Sequence, residues 1–124
     1  MSIDFNHTIV HATDKKESAT FLAEILGLGP PESFANHFMV VRFQNGVSLD
    51  FIETGDRFDK QHYAFHVSEK EFDEIFERIK ARRLPYWADP GRVKKNETYK
   101  HNNGRGVYFE DPSSGHFYEI LTWF

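Results

Sequence analysis

The sequence predicts an α+β protein built from two related halves, each running roughly β-α-β-β with room for a further strand. Three observations lead there. First, NHTIVHATDKKES from Asn6 lies over QHYAFHVSEKEFD from Gln61, so that His7 meets His62, His11 meets His66, Thr13 meets Ser68 and Lys15 meets Lys70 at one offset of 55 residues. Second, each copy passes from period-two alternation into helical spacing. Third, the halves end alike. VRFQNGVSLDFI from Val41 resembles VYFEDPSSGHFYEIL from Val107, and aligning Gly46 with Gly115 places Asp50 on Glu119.

Residues 5–12 alternate and read as a strand. Residues 14–27 read as a helix, with Asp14 and Glu17 as a capping pair, Phe21, Leu22, Ile25 and Leu26 on one face, and Gly27 or Gly29 closing it. Strands follow at about 37–44 and 46–53, joined through Gln44-Asn45-Gly46. The second half opens with a strand at 61–67. Ser68 and Glu71 form a capping box for a helix whose Phe72, Ile75, Phe76 and Ile79 recur at i, i+3, i+4 and i+7, and Pro85 stops it. A short extended piece lies near 85–88, and strands are expected at 106–110 and 116–122. The polar stretch from Asp89 to Gly106 reads as a long connection of the kind that forms lids or mobile segments.

A chain of 124 residues is the length of one domain, here residues 1–124 with modules of about 1–55 and 60–124. Hydrophobic residues make up 40%, enough for a core that needs no covalent staples. The net charge of -4 and the lack of any long cationic run exclude nucleic acid as a natural partner. No apolar segment reads as a signal peptide or membrane span, so no membrane partner is expected and the cytoplasm is the expected location. The chain has no Cys, which leaves the seven His and the carboxylates as metal ligands.

Alternation decides which of these ligands share a side. His7, Ile9 and His11 fall on one face of their strand, and His62, Ala64 and His66 on one face of theirs. Asp50 goes with Ser48 and Ile52, and Glu119 with Phe117 and Leu121. The opposing residues are apolar and suit packing under a helix. Two imidazoles and a carboxylate on one sheet side leave open positions on Fe(II), Mn(II), Zn(II) or Ni(II). The alternative is that these are ordinary surface polar residues.

NHTIVHATD, the helix ending in LGLG, SLDFIE, HYAFHV and GVYFEDPSSGHFYEIL together resemble the vicinal oxygen chelate superfamily, which holds glyoxalases, bleomycin-resistance proteins and extradiol dioxygenases. The resemblance implies two tandem βαβββ modules (the glyoxalase/bleomycin resistance/dihydroxybiphenyl dioxygenase-like fold), with U-shaped mixed sheets around a metal cleft. It implies one divalent ion (Fe2+, Mn2+, Zn2+ or Ni2+) on His7, His62 and Glu119, a small-molecule substrate and a homodimer. The fourth family ligand position is Asp50, one methylene shorter than Glu.

Chemistry stays open among three readings. The two-His-one-Glu set, with His101 and Tyr108 ahead of Glu119, is similar to the extradiol dioxygenase signature, from which Tyr99 and the extra Ser113-Ser114 residue depart. A glyoxalase- or epimerase-like lyase or isomerase would use Glu119 or Asp50 as its base. A binding or resistance protein without catalysis is the third. Glu119, Asp50, Tyr108 and His101 are thus the candidate catalytic residues, and Arg105, His11 and His66 the candidate substrate contacts. Arg105 equally suits a brace, and His11 and His66 suit structural histidines.

Overall fold

A computed structural model describes residues 2–124. The chain divides into two compact units, residues 1–59 with 112–114, and residues 60–111 with 115–124. No helix among the described residues is long and apolar enough to cross a membrane.

The first unit contains β1 (His7–Ala12), α1 (Lys15–Leu26), β2 (Glu32–Phe34), β3 (Phe38–Arg42) and β4 (Ser48–Glu53). Its sheet has the order β1-β4-β3-β2, with β1 and β4 parallel and the other pairs antiparallel. Asp14 starts α1 by accepting the Glu17 N–H at 3.0 Å. Gly27, left-handed at φ 73°, ends it. There the Leu28 N–H reaches the Ala23 carbonyl and the Gly27 N–H reaches that of Glu24, which satisfies the last turn. The helix buries Ser18, Ala19 and Ala23 beside Phe21, Leu22 and Ile25. Those small residues let α1 lie close on β3 and β4, over Val10, Val41 and Phe51.

The second unit contains β5 (His62–His66), α2 (Glu69–Ala81), β6 (Tyr86–Trp87), β7 (Tyr99–His101), β8 (Gly104–Glu110) and β9 (Phe117–Leu121). Its order is β5-β9-β8-β6, with β7 also paired to β8. β5 and β9 are parallel, as β1 and β4 are. This is the first unit's pattern with β7 added. The Ser68 and Glu71 capping box is complete, each side chain taking the other's backbone N–H. α2 buries Phe72, Ile75 and Ile79, whose bulk holds its axis further from the sheet. Arg105 of β8 fills that gap: its guanidinium lies 4.1 Å from the Phe72 ring centre and binds Glu69 and Asp73 at 2.7 Å each.

Four details differ from the sequence reading. β2 supplies the further strand that the βαβββ resemblance implied, at a place the residue pattern had not located. It follows Pro30-Pro31, is three residues long with all three exposed, and turns into β3 through Ala35 and Asn36 at φ 56° and 52°. The strands flanking the Gln44-Asn45-Gly46 turn are shorter than expected, ending at Arg42 and resuming at Ser48, with the turn closed by Phe43 N–H on Val47 O and Gly46 N–H on Phe43 O. α2 stops before Pro85 can act, at a left-handed Arg83 (φ 55°), with Leu84 N–H on the Ile79 carbonyl.

The fourth difference is the stretch from Asp89 to Gly106, which is folded and tied down. The Asp89 carboxylate accepts the N–H groups of Val93 and Lys94 at 2.7–3.1 Å, and those donors hold its pKa below the usual carboxylate value. Arg92 bonds Glu110 at 2.7 Å and covers the Phe117 ring at 4.0 Å. β7 then pairs with β8 through a turn at Asn102 and Asn103, both at positive φ.

Candidate metal centre

Strand register arranges the second unit's polar face in three rows. His62 stands opposite Phe117, which stands opposite Glu110. Ala64, Glu119, Tyr108 and Trp87 form the next row. His66, Leu121, Gly106 and Tyr99 form the third. Glu119 therefore sits one row from His62, beside the smallest side chain on β5, and their side chains meet. His62 Nε2 lies 3.0 Å from Glu119 Oε1.

Glu119 is only 6% exposed, a costly place for a carboxylate unless its oxygens are satisfied. Oε1 faces His62, and Oε2 accepts the Tyr99 hydroxyl proton. Trp123 Nε1 donates to the same Tyr99 oxygen at 2.8 Å. Burial, and then the hydrogen bond to Glu119, push the Tyr99 phenol far above its usual value. Burial, followed by the charge of Glu119, pushes Tyr108 up to about 12. Near neutral pH both phenols keep their protons and act as donors. Tyr108 also stacks on Phe117 (5.4 Å between ring centres, 14° between planes) and leans on His62 at 5.6 Å.

The first unit repeats the rows with other contents. His7 stands opposite Ser48, and Ile9, Asp50 and Val40 make the central row. His11, Ile52 and Phe38 make the third. Position for position, His7 corresponds to His62, Asp50 to Glu119 and His11 to His66. Asp50 accepts the Ser48 hydroxyl at 2.8 Å. His7 Nδ1 lies 2.6 Å from Asn6 Oδ1. Because an amide oxygen only accepts, His7 donates from Nδ1 in this contact, which leaves Nε2 as its other ring nitrogen.

The donor set suits a divalent ion. Two donors each about 2.1 Å from one ion and at right angles lie about 3.0 Å apart, which is the His62–Glu119 separation. Among the described residues, no group of three or more His, Asp or Glu converges within the chain. The structure thus brings together His62 and Glu119, with Tyr108 beside them, while His7 and Asp50 belong to the other unit.

The remaining candidates have other partners. His101 is exposed on β7, edge-on to Trp123 at 4.5 Å. Arg105 is occupied by Glu69 and Asp73, which is the bracing arrangement. His11 Nδ1 meets Thr54 Oγ1 at 2.8 Å and its ring faces Phe58, whereas His66 stacks on Phe124 at 4.0 Å. Tyr99 and Trp123 touch or support Glu119 without having been singled out for it. Two signals pointed to Tyr99: the Asn102-Asn103-Gly104 hairpin turn, and a glycine, Gly106, inside the strand that follows it.

Comparison with known proteins agrees with this architecture. The model described as the Glyoxalase/Bleomycin resistance protein/Dioxygenase superfamily matches residues 4–120. Among solved structures, "Oxidase ChaP-H1" is 54% identical with a TM-score of 0.93, covering 98% of this chain and 96% of its own. "Oxidase ChaP-H2" is 51% identical with a TM-score of 0.93, covering 98% and 94%. A variant of the fosfomycin resistance protein FosX from Listeria monocytogenes, complexed with Mn(II) and a dihydroxypropylphosphonic acid, is 20% identical with a TM-score of 0.71, covering 100% and 95%, and supports the fold alone. No curated protein sequence matches the chain.

Proposed function

This chain belongs to the glyoxalase/bleomycin resistance protein/dioxygenase superfamily, and on that footing we propose that it is a metal-dependent enzyme of the dioxygenase type. One divalent ion (Fe2+, Mn2+, Zn2+ or Ni2+) would be held by His7, His62 and Glu119. The observation carrying this reading is the approach of His62 Nε2 to Glu119 Oε1 at 3.0 Å, on a buried carboxylate whose other oxygen is already taken. The correspondence of His7 with His62 in strand register supports the third ligand. Two relatives that share more than half of this sequence, and nearly all of its length, carry the name oxidase.

The ion would supply a Lewis acid with open positions for two vicinal oxygens of a small substrate. The protein's own groups do the rest. Tyr108, protonated near neutral pH and beside Glu119, donates a hydrogen bond or a proton to substrate oxygen. Phe117 and Tyr108 present a stacked aromatic surface that keeps water from the reacting face. His11 and His66, each one row from the carboxylate of its own unit, are the candidate substrate contacts.

We also propose a homodimer in which His7 of one copy joins His62 and Glu119 of the second. β1, which carries His7, is the terminal strand of its sheet, and β5, which carries His62, is the terminal strand of its own. Ile9 on β1 is 47% exposed and the preceding Phe5 64%, an apolar edge suited to burial against another chain. Equal mixing of His7→Ala and His62→Ala chains tests it. Random exchange should restore about a quarter of the wild-type metal content, whereas sites built within one chain would restore none.

The reaction is tested by oxygen uptake of the Fe(II)-loaded protein with a panel of catechols, against isomerisation of hemithioacetals. Oxygen consumption that needs both Fe(II) and Glu119 supports the dioxygenase reading. Isomerisation without oxygen uptake would replace it with the lyase or isomerase reading, in which Glu119 serves as the base.

A further inference from the structure

We infer that Tyr99 is a positioning residue for Glu119: held by Trp123 and given room by Gly106, it ties up one carboxylate oxygen so that the other alone is offered to the metal. The inference rests on the metal-site reading above.

A carboxylate binds a divalent ion through one oxygen or through both, and the choice changes how many positions remain for substrate. In this structure the two oxygens of Glu119 have different protein partners. Glu119 Oε2 accepts the Tyr99 hydroxyl and Oε1 faces His62 Nε2. The direction of the Tyr99 bond is imposed from behind. The Trp123 indole N–H can only donate, and it donates to the Tyr99 oxygen at 2.8 Å. The single hydroxyl proton of Tyr99 is thereby turned toward Glu119.

The backbone is shaped for this contact. Tyr99 pairs with Gly106 across the β7–β8 ladder. A Cβ at Gly106 would stand 2.2 Å from the Tyr99 ring. The ring therefore lies across the bare glycine into the row of Glu119, and any other residue at 106 would displace it. Among the described residues the first unit has no equivalent. Phe38 holds the position corresponding to Gly106, no strand corresponds to β7, and Asp50 takes its hydrogen bond from Ser48 in its own strand. A strand, a glycine and a C-terminal tryptophan all differ between the halves, and they meet on one carboxylate oxygen.

The test uses the full chain with Co(II) as the probe. Affinity is read by calorimetric titration and coordination by the visible absorption of the bound ion, for wild type, Tyr99→Phe, Trp123→Phe and Glu119→Gln. Thermal melting checks that each variant is folded. Tyr99→Phe should weaken Co(II) about tenfold or more and lower its visible absorption, as the freed second oxygen raises the coordination number. Trp123→Phe keeps an aromatic ring at 123 and should move both readouts in the same direction by less. Wild-type affinity and spectrum in a folded Tyr99→Phe, or in Trp123→Phe should Tyr99→Phe not fold, would overturn the inference and leave the metal reading standing. Undiminished binding by Glu119→Gln would overturn both.

Discussion

The two halves share a strand order, a register and a histidine, yet treat their carboxylates differently. In the second half Glu119 is 6% exposed and wrapped by His62, Tyr99 and Tyr108. In the first, Asp50 is partly exposed between Ile9 and Val40 and hydrogen-bonded to Ser48. The residues in the matching rows explain the difference. Where the second half has Phe117 and Tyr108, the first has Ser48 and Val40. The duplicated backbone supplies the places, and side chains one row away decide which carboxylate is buried and enclosed by hydrogen-bond partners.

The largest expected effects probe what the halves share. Phe51 and Ile120 occupy corresponding positions under the two helices and are both fully buried. Phe51→Ala should remove about 3–5 kcal/mol and Ile120→Ala about 2–5 kcal/mol, measured by urea unfolding. A loss in one half alone would show that only one core is well packed.

The carboxylates should then part company. Glu119→Gln should weaken divalent metal binding by about 100-fold or more, and Asp50→Asn by less than about threefold, in the same titration. Equal losses would make Asp50 a ligand and erase the asymmetry argued above.

The helix starts provide a smaller contrast. Ser68→Ala breaks a reciprocal capping box and should cost about 1 kcal/mol, with Asp14→Ala, a one-way cap, at or below that. The box also has a pH signature. The Ser68 backbone N–H, and then its hydroxyl, hold the Glu71 pKa below 4.5. A depressed carboxylate contributes stability above the unfolded value and loses it as pH falls through the folded value. From about pH 4.5 downward, melting temperature should therefore fall less steeply in Glu71→Gln than in wild type.

The helix ends should give the smallest shifts, of opposite sign. Gly27→Ala forces a Cβ into a left-handed cap and should destabilise by about 1 kcal/mol. Arg83→Gly removes a Cβ from the equivalent cap of α2 and should stabilise by about 0.5 kcal/mol. Both are read from denaturation midpoints.

What could be read from the sequence was what short-range patterns control. Both helices, the capping box, the β4 and β9 carboxylates and the correspondence of His7 with His62 follow from local periodicity and one repeat register. The less legible elements depend on partners distant in sequence. β2 is three exposed residues turning through Ala35-Asn36, a pair with no strong turn signature. β7 exists because β8 offers it an edge, and Tyr99 reaches Glu119 because Gly106 is bare. Arg105 suited either an anion anchor or a brace, and only the tertiary fold brings Glu69 and Asp73 to it.

Metal content of the purified protein, prepared without added metal and measured by elemental analysis for wild type, His7→Ala, His62→Ala and Glu119→Gln, tests the metal centre most directly. The account predicts near-stoichiometric metal in wild type and its loss in all three variants while they remain folded. Wild-type metal content in folded His62→Ala would contradict it.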